Sequence, residues 1–274
     1  MSGLRCLGVL LCYNDGDLLE ESISYLLEQH HDLIAWDHGS TDETPSILER
    51  FRPHCREIRR VPREFDFYQL YQAMSRHLIE SYVTDYDWVS WPDQDEFLEG
   101  PARDRSYYEY VVEAHDAGID WIRFRNFNYW CTDEDDPTVS ETTRRVRHYA
   151  LRPDCPPRIR SWRAKVTNVR RFNHNALDGR PSPRLFDLRH YPMRSPSQMR
   201  ARVLHDRAGL RRGNLNFHYA NMRHRLESLQ IPADALHYDD GVSDLDPDPI
   251  FDWRSIYGRA PADSDLRSGQ SRGS

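Results

Sequence analysis

The sequence predicts an α/β fold: a mixed, mostly parallel sheet flanked by helices. Three observations carry the prediction. Through the first 130 residues, short apolar runs alternate with segments of helical periodicity. The runs end in polar and glycine residues, and strand ends are where open α/β sheets hold ligands. Nothing in the chain points elsewhere, since it contains no internal repeat and no apolar stretch of membrane-spanning length.

Leu4 to Leu11 reads as a buried strand broken by Tyr13-Asn14-Asp15-Gly16. Asp17 is placed to cap the next helix, with Glu20 completing a capping box, and Leu18, Leu19, Ile23, Leu26 and Leu27 recur at helical spacing. Leu33 to Trp36 is a second strand, ended by Asp37-His38-Gly39-Ser40-Thr41-Asp42. Pro45 suits the first turn of a helix to about Phe51. Arg56 to Val61 is a third strand, and Phe67 to Val83 a helix with Leu70, Met74, Leu78 and Ile79 toward the core. Trp88 to Trp91 is the fourth strand, Tyr107 to Ala117 a helix stopped by Gly118, and Asp120 to Trp130 a strand. Cys131 to Pro157 is polar and reads in part as a loop. Strands are expected at Ala164 to Phe172 and Arg184 to Leu188, a helix capped by Ser195 with Pro196 and Gln198, and another over Asn221 to Leu229. From Asp239 the chain turns to Asp, Pro, Ser and Gly and should be partly disordered.

The net charge of −7 conceals a segregation. Residues 1–139 carry 12 Arg against 29 Asp and Glu, whereas residues 140–225 carry 21 Lys and Arg against 5 acids. A basic middle invites a nucleic-acid reading, but acidic flanks make a poor general binder of nucleic acid. The basic segment is better matched to the acidic half, to phosphates of a small ligand or to an anionic acceptor. Five scattered cysteines without C-x-x-C spacing argue against a zinc site or a disulfide framework and favour a reducing, cytoplasmic setting.

The densest chemistry follows the fourth strand, in Asp93-Gln94-Asp95-Glu96-Phe97-Leu98. Three carboxylates in four positions repel one another unless positive charge lies among them. A hard divalent cation carrying phosphate ligands would supply it. The plain alternative is a solvated acidic turn. At the earlier strand ends, the turn Cys12-Tyr13-Asn14 is placed to border a flat base, with Tyr13 stacking on it or filling a core gap. Asp37 is placed to accept a hydrogen of the base or of ribose, or only to cap a helix with Ser40. Gly39-Ser40 lets the backbone approach closely.

Taken together, Leu11-Cys12-Tyr13-Asn14-Asp15, Trp36-Asp37-His38-Gly39-Ser40-Thr41-Asp42 and Asp93-Gln94-Asp95-Glu96-Phe97 resemble the family 2 glycosyltransferases of GT-A (Rossmann-like) fold. The likeness covers residues 4–130 and returns more loosely at Arg189-His190-Tyr191-Pro192-Met193-Arg194-Ser195. Cys12, Asp15, His38 and Gln94 depart from the pattern and bear on the identity of base and sugar. The resemblance implies a nucleotide-sugar donor, Mn²⁺ or Mg²⁺ and inverting transfer to the hydroxyl of a glycan, lipid-linked or small-molecule acceptor. It implies Cys12, Tyr13, Asn14, Asp37, Gly39, Ser40 and Asp93 at the nucleotide and Asp93 and Asp95 at the metal, with His190 as a further ligand. Arg194 has the fork to pair with a phosphate. For the general base, Asp178 and His174 are favoured over Glu141 and Glu96. Residues 1–238 then form one domain, with 1–130 as the nucleotide-sugar half and 131–238 as the acceptor side, before a tail at 239–274. No nucleic-acid partner and no transmembrane segment are expected, and peripheral contact with a membrane stays open. The competing readings are a nucleotidyltransferase, a silent nucleotide-sugar or glycan-binding module, and an RNA binder using residues 140–225.

Overall fold

The computed structural model describes residues 3–65, 67–166, 178–206, 229 and 231–257. The first half builds four strands, β1 (Cys6–Cys12), β2 (His31–Asp37), β3 (Cys55–Arg60) and β4 (Trp88–Ser90). Between them run the helices α1 (Leu19–Glu28), α2 (Thr44–Arg50) and α3 (Phe67–Ser81). All four strands are parallel, in the spatial order β3-β2-β1-β4. The winding direction therefore reverses between β1 and β4. At such a switch point the loops leaving the two strands diverge and open a crevice.

The sheet then changes character. β5 (Glu96–Glu99) follows the acidic turn, and α4 (Tyr107–Asp116) opens with a complete capping box between Ser106 and Glu109. Next come β6 (Trp121–Trp130), α5 (Thr142–Arg145), β7 (His148–Leu151), β8 (Arg158–Arg163), β9 (Phe186–Met193), α6 (Pro196–Ala201), β10 (His237–Tyr238) and α7 (Arg254–Tyr257). β8 lies antiparallel between β4 and β6, while β9 runs parallel to β6 and antiparallel to β5. The result is a mixed sheet, parallel at its centre and flanked by helices, as the alternating pattern predicts. Every residue of β1 is buried, with Leu7, Val9 and Leu11 facing the α3 side and Leu10 and Cys12 facing α1 and α2. Among the described residues no helix is long and apolar enough to cross a membrane.

Several local expectations shift. Asp17 does not cap α1: the helix starts after Leu18 without a side-chain cap, and the Asp15 carbonyl accepts from the amides of Leu18 and Leu19. The Asp17 carboxylate has a stronger partner in Arg194. Ile79 is 39 % exposed, because nine residues at 100° each carry it to the face opposite the buried Leu70. The strand expected over 164–172 is not formed at 164–166; β7 lies inside the stretch read as loop and β8 just beyond it, and 167–172 lie outside the described residues. The helix expected over 221–229 also lies outside them, apart from Leu229.

Part of the segment from residue 239 packs onto the rest of the chain. Asp239 is buried, with its carboxylate bonded to Arg103 and to the Tyr129 hydroxyl. Leu245, Trp253 and Ile256 complete a core cluster with Trp130 and Tyr149, and the Trp253 indole donates to the Leu151 carbonyl at 2.9 Å. Apolar residues spaced along a polar stretch are enough to dock it. Trp253→Ala should therefore lower unfolding free energy by about 3–5 kcal/mol, the usual cost of emptying a buried indole site. Urea denaturation checks this, and a loss below about 0.5 kcal/mol would mean that the segment is detached.

Candidate active site

The loops leaving β1 and β2 are laced together. The amide of Asn14 donates to Ser40 Oγ at 3.0 Å, Asn14 Oδ1 accepts from the amide of Thr41 at 2.9 Å, and the amide of Gly16 donates to Asp42 Oδ2 at 2.9 Å. Asn14 sits at φ +50° and Gly39 at φ +68°. Asparagine tolerates that region, and a side chain at Gly39 would also press on the Arg63 backbone 3.2 Å away. Asp37 is buried. Its Oδ1 accepts from the amide of Ser40 at 2.9 Å, while Oδ2 has no hydrogen bond and only Arg60 Nε at 3.7 Å. A buried acceptor in that state is matched to an incoming N–H or O–H. The Arg63 guanidinium lies 3.9 Å from the centre of the Tyr13 ring, giving the pocket edge a flat cationic cover.

The acidic turn is not solvated. Glu96 is 0 % exposed at its side chain and accepts from both Arg158 and Arg160, the latter at 2.5 and 2.9 Å. Its Oε2 also accepts from the amide of Asp93 at 2.9 Å. Arg160 continues to Asp93 Oδ2 at 3.0 Å, and Tyr71 donates to Asp93 Oδ1 at 3.3 Å. Gln94 donates to the Leu11 carbonyl, tying the turn to β1. Burial opposes ionisation of Glu96, but Arg160 and Arg158 outweigh it and hold its carboxyl down to about 2. Asp93 is pushed up to about 7 by desolvation and the Glu96 charge, against the pull of Arg160.

Asp95 faces the other way. Its Oδ2 lies 2.8 Å from Arg202 Nη1 and 3.8 Å from Arg194 Nη1, and its Oδ1 lies 3.6 Å from His190 Nε2. Burial opposes its charge, yet Arg202 and His190 together hold the carboxyl well below the ordinary carboxylate range. His190 is pushed down by burial, which favours neutral imidazole despite Asp95. On its far side Nδ1 meets Asn128 Oδ1 at 2.8 Å. That bond fixes the orientation of the ring, with Nε2 toward the Asp95 oxygen. A carboxylate and an imidazole facing each other in a buried site are a ligand pair of the kind that divalent cations take. The pair therefore fits Mn²⁺ or Mg²⁺, whose remaining positions phosphate oxygens and water would fill. Asp93 does not join them: among the described residues no three acidic, histidine or cysteine side chains gather as a metal site.

Two other expected site residues, Arg194 and Asp178, have surroundings that differ from the expected roles. Arg194 is 1 % exposed, and its guanidinium is consumed by Asp17 at 2.6 and 2.7 Å, by Asp15 at 3.3 Å and by the Tyr191 carbonyl. It braces the loop after β1 against β9 and has no free fork for a phosphate. Asp178 lies at the wrong end of the sheet. Its neighbour Arg180 pairs through the backbone with Asp120, just before β6, whereas His190 pairs with Asn128 eight residues further on, roughly 25 Å away at strand rise. His174 lies outside the described residues. Sequence reasoning missed Arg63, Asn128, Arg158, Arg160 and Arg202. The signal for two of them was present: Arg158-Ile159-Arg160 alternates on one strand, and a buried strand face carrying two arginines requires acid partners.

The site thus combines a parallel sheet with a switch point, a buried acceptor without a hydrogen bond at Asp37 and an acid–imidazole pair at Asp95 and His190. The family model of glycosyl transferase family 2 matches residues 9–130, and this part of the chain is similar to that family. No curated protein matches the chain. Among solved structures, *S. aureus* TarS is 13 % identical with a TM-score of 0.40, over 74 % of this chain and 40 % of that one. The chain thus spans well under half the length of that TarS structure. TarS 1-349 in complex with UDP is 14 % identical, TM-score 0.41, over 84 % of this chain and 76 % of the other. The mannosyltransferase PcManGT of Pyrobaculum calidifontis, in complex with GDP-Man and Mn²⁺, is 16 % identical, TM-score 0.42, over 75 % and 62 %.

Two outcomes follow from the electrostatics. Glu96→Gln strands two buried arginines and should cost about 3–5 kcal/mol of stability by urea denaturation. The pH dependence has the opposite origin. Between about 4 and about 7 the folded Asp93 keeps a proton that the unfolded chain has lost. The native state then binds the extra proton, so stability falls as pH rises through that window. Glu96, held low, contributes stability that is lost only as pH falls through about 2, outside the window. In chelator, Tm should drop from pH 5 to pH 8 in the native protein, and Asp93→Asn should flatten the drop; an equal slope in both proteins would refute the assignment.

Proposed function

We propose that this chain transfers a glycosyl group from a nucleoside-diphosphate sugar to an acceptor hydroxyl, with inversion, and that Asp95 and His190 hold a divalent cation beside the diphosphate. The Asp95–His190 pair at the switch point is the observation that carries the reading. The complexes of TarS with UDP and of PcManGT with GDP-Man and Mn²⁺ are consistent with such a donor and ion. When bound, the cation supplies positive charge that steadies the departing diphosphate. The protein's own parts are then assigned as follows. Asp37 Oδ2 receives a hydrogen of the base, Tyr13 under Arg63 borders the base, and Cys12, Asn14, Gly39 and Ser40 shape the backbone rim. Asp93, the most open of the three carboxylates at 35 % side-chain exposure, takes the ribose side. Arg202 and Arg194 keep Asp95 ionised whether or not the cation is present.

Inversion needs a base for the acceptor hydroxyl. We set aside Glu96, which two arginines hold, and Asp178, which lies near the start of β6. That leaves His174 and Glu141, the latter exposed at the start of α5, which Glu21 of α1 holds through Thr142 and Thr143. The acceptor is a glycan, a lipid-linked sugar or a small molecule. All five cysteines are free thiols, which supports a cytoplasmic setting.

Calorimetric titration with UDP and GDP, with and without Mn²⁺, tests the site. One nucleotide should bind with metal and lose affinity about tenfold or more without it, and Asp95→Asn and His190→Ala should abolish the metal dependence. Asp37→Ala should weaken the nucleotide with or without metal. Metal-independent binding untouched by His190→Ala would remove the cation from the proposal. Proton NMR of the first-formed product reads the anomeric outcome, and retention would overturn inversion.

A further inference from the structure

A cavity lies behind β9, the strand that carries His190. Consecutive residues on β9 point to opposite faces, so His190 faces Asp95 while Arg189 faces away from it, into a cavity of about 290 Å³. Arg103, Arg105, Arg147, Arg189, Glu99 and Asp239 supply its charged lining. The two acids are fully engaged. Glu99 is shared by Arg189 at 2.6 Å and Arg103 at 3.1 Å, and Asp239 is held by Arg103 at 2.6 Å, the Tyr129 hydroxyl at 2.5 Å and the amide of Gly241 at 2.7 Å. Arg105, at the rim, reaches outward to Glu113 at 2.8 Å.

Arg147 is the least engaged of the four, with its guanidinium 5.5 Å from the centre of the Tyr238 ring. Its closest carboxylate oxygen is on Asp239 at 4.0 Å, and its guanidinium makes no hydrogen bond among the described residues. The side chain is 24 % exposed, so water satisfies it only in part. A cavity lined by four arginines and two engaged acids, with one guanidinium not hydrogen-bonded among the described residues, is complementary to an anion. A guanidinium fork matches phosphate oxygens in two-point geometry. The volume stands at the small end of ligand pockets, enough for a phosphoryl group with a small organic body.

We propose that this cavity is a binding site for a small phosphate monoester, separate from the donor crevice and read by Arg147, with Arg103 and Arg189 as its floor. Because the cavity lies on the reverse face of β9 from His190, its ligand binds alongside the donor rather than in its place. This stands on the cavity's own geometry and does not depend on which sugar the donor carries.

The test uses inorganic phosphate and glucose 6-phosphate as probes, in chelator and at constant ionic strength, with thermal shift and calorimetry as readouts. A saturable rise in Tm is expected. Arg147→Ala should weaken binding about tenfold or more, the size of one charge-assisted contact, and Asp95→Asn should leave it unchanged. Should Arg147→Ala fail to fold, Arg105→Ala at the exposed rim is the second variant, expected to weaken binding severalfold. Absence of a saturable response overturns the site. So does binding that both arginine variants retain, or binding lost in Asp95→Asn alone, which would place the phosphate in the donor crevice. Co-sedimentation with phosphatidic acid vesicles that free phosphate does not compete away would replace the small ester by a lipid headgroup and overturn the proposal as stated.

Discussion

The structure depends on pairing buried carboxylates of the first half with buried arginines of the second. Asp95, Glu96 and Asp15 are taken out of water at the end of the parallel strands, where their mutual repulsion is least screened. Arg158, Arg160, Arg194 and Arg202 come from β8, β9 and the turn after α6 to meet them. Each ion has a heavy desolvation penalty, offset only because several hydrogen bonds converge on each carboxylate. The halves are therefore one electrostatic unit. The first cannot bury its acidic turn without the second, and the segregation of charge along the chain records that division.

That pairing also explains how a site rich in acids leaves specific groups available. Glu96 is locked and unreactive. Asp95 has one oxygen braced by arginine and the other facing imidazole. Asp93 keeps partial access and a raised carboxyl range. Three neighbouring carboxylates thus acquire three different chemistries from their surroundings, although along the chain they are nearly equivalent. The lacing of the loops after β1 and β2 does the same for Asp37, engaging one oxygen and leaving the other without a hydrogen bond.

The parallel half was legible because its signals are local. A buried strand needs an apolar run, a helix a periodic stripe, and a ligand-bearing strand end a polar stop; β1, β2, α2, α3, β4 and α4 all obey. The antiparallel half was less legible. β8 is built from Arg-Ile-Arg-Ser-Trp-Arg, whose charges argue for solvent until their partners are known. Asp178 looked placed for chemistry because it precedes the His190 segment in the chain, yet the connection crosses the sheet from one end of β6 to the other. Arg194 looked like a phosphate fork because nothing along the chain reveals that Asp15 and Asp17 already claim it.

By itself, then, the sequence determined the alternation of strand and helix, the polar stops at Asp37 and Asp93 to Glu96, and the opposition of an acidic and a basic half. These are set by short-range propensity and hydrophobic period, which act over a few residues. Only the tertiary structure decided which arginine meets which acid, that Asn128 orients the His190 ring toward Asp95, and that Arg147 makes no hydrogen bond among the described residues. Those outcomes depend on contacts between segments tens to nearly two hundred residues apart, as Arg194 with Asp17 shows. Electrostatic worth is fixed by distance and burial, and neither is written in the order of the residues.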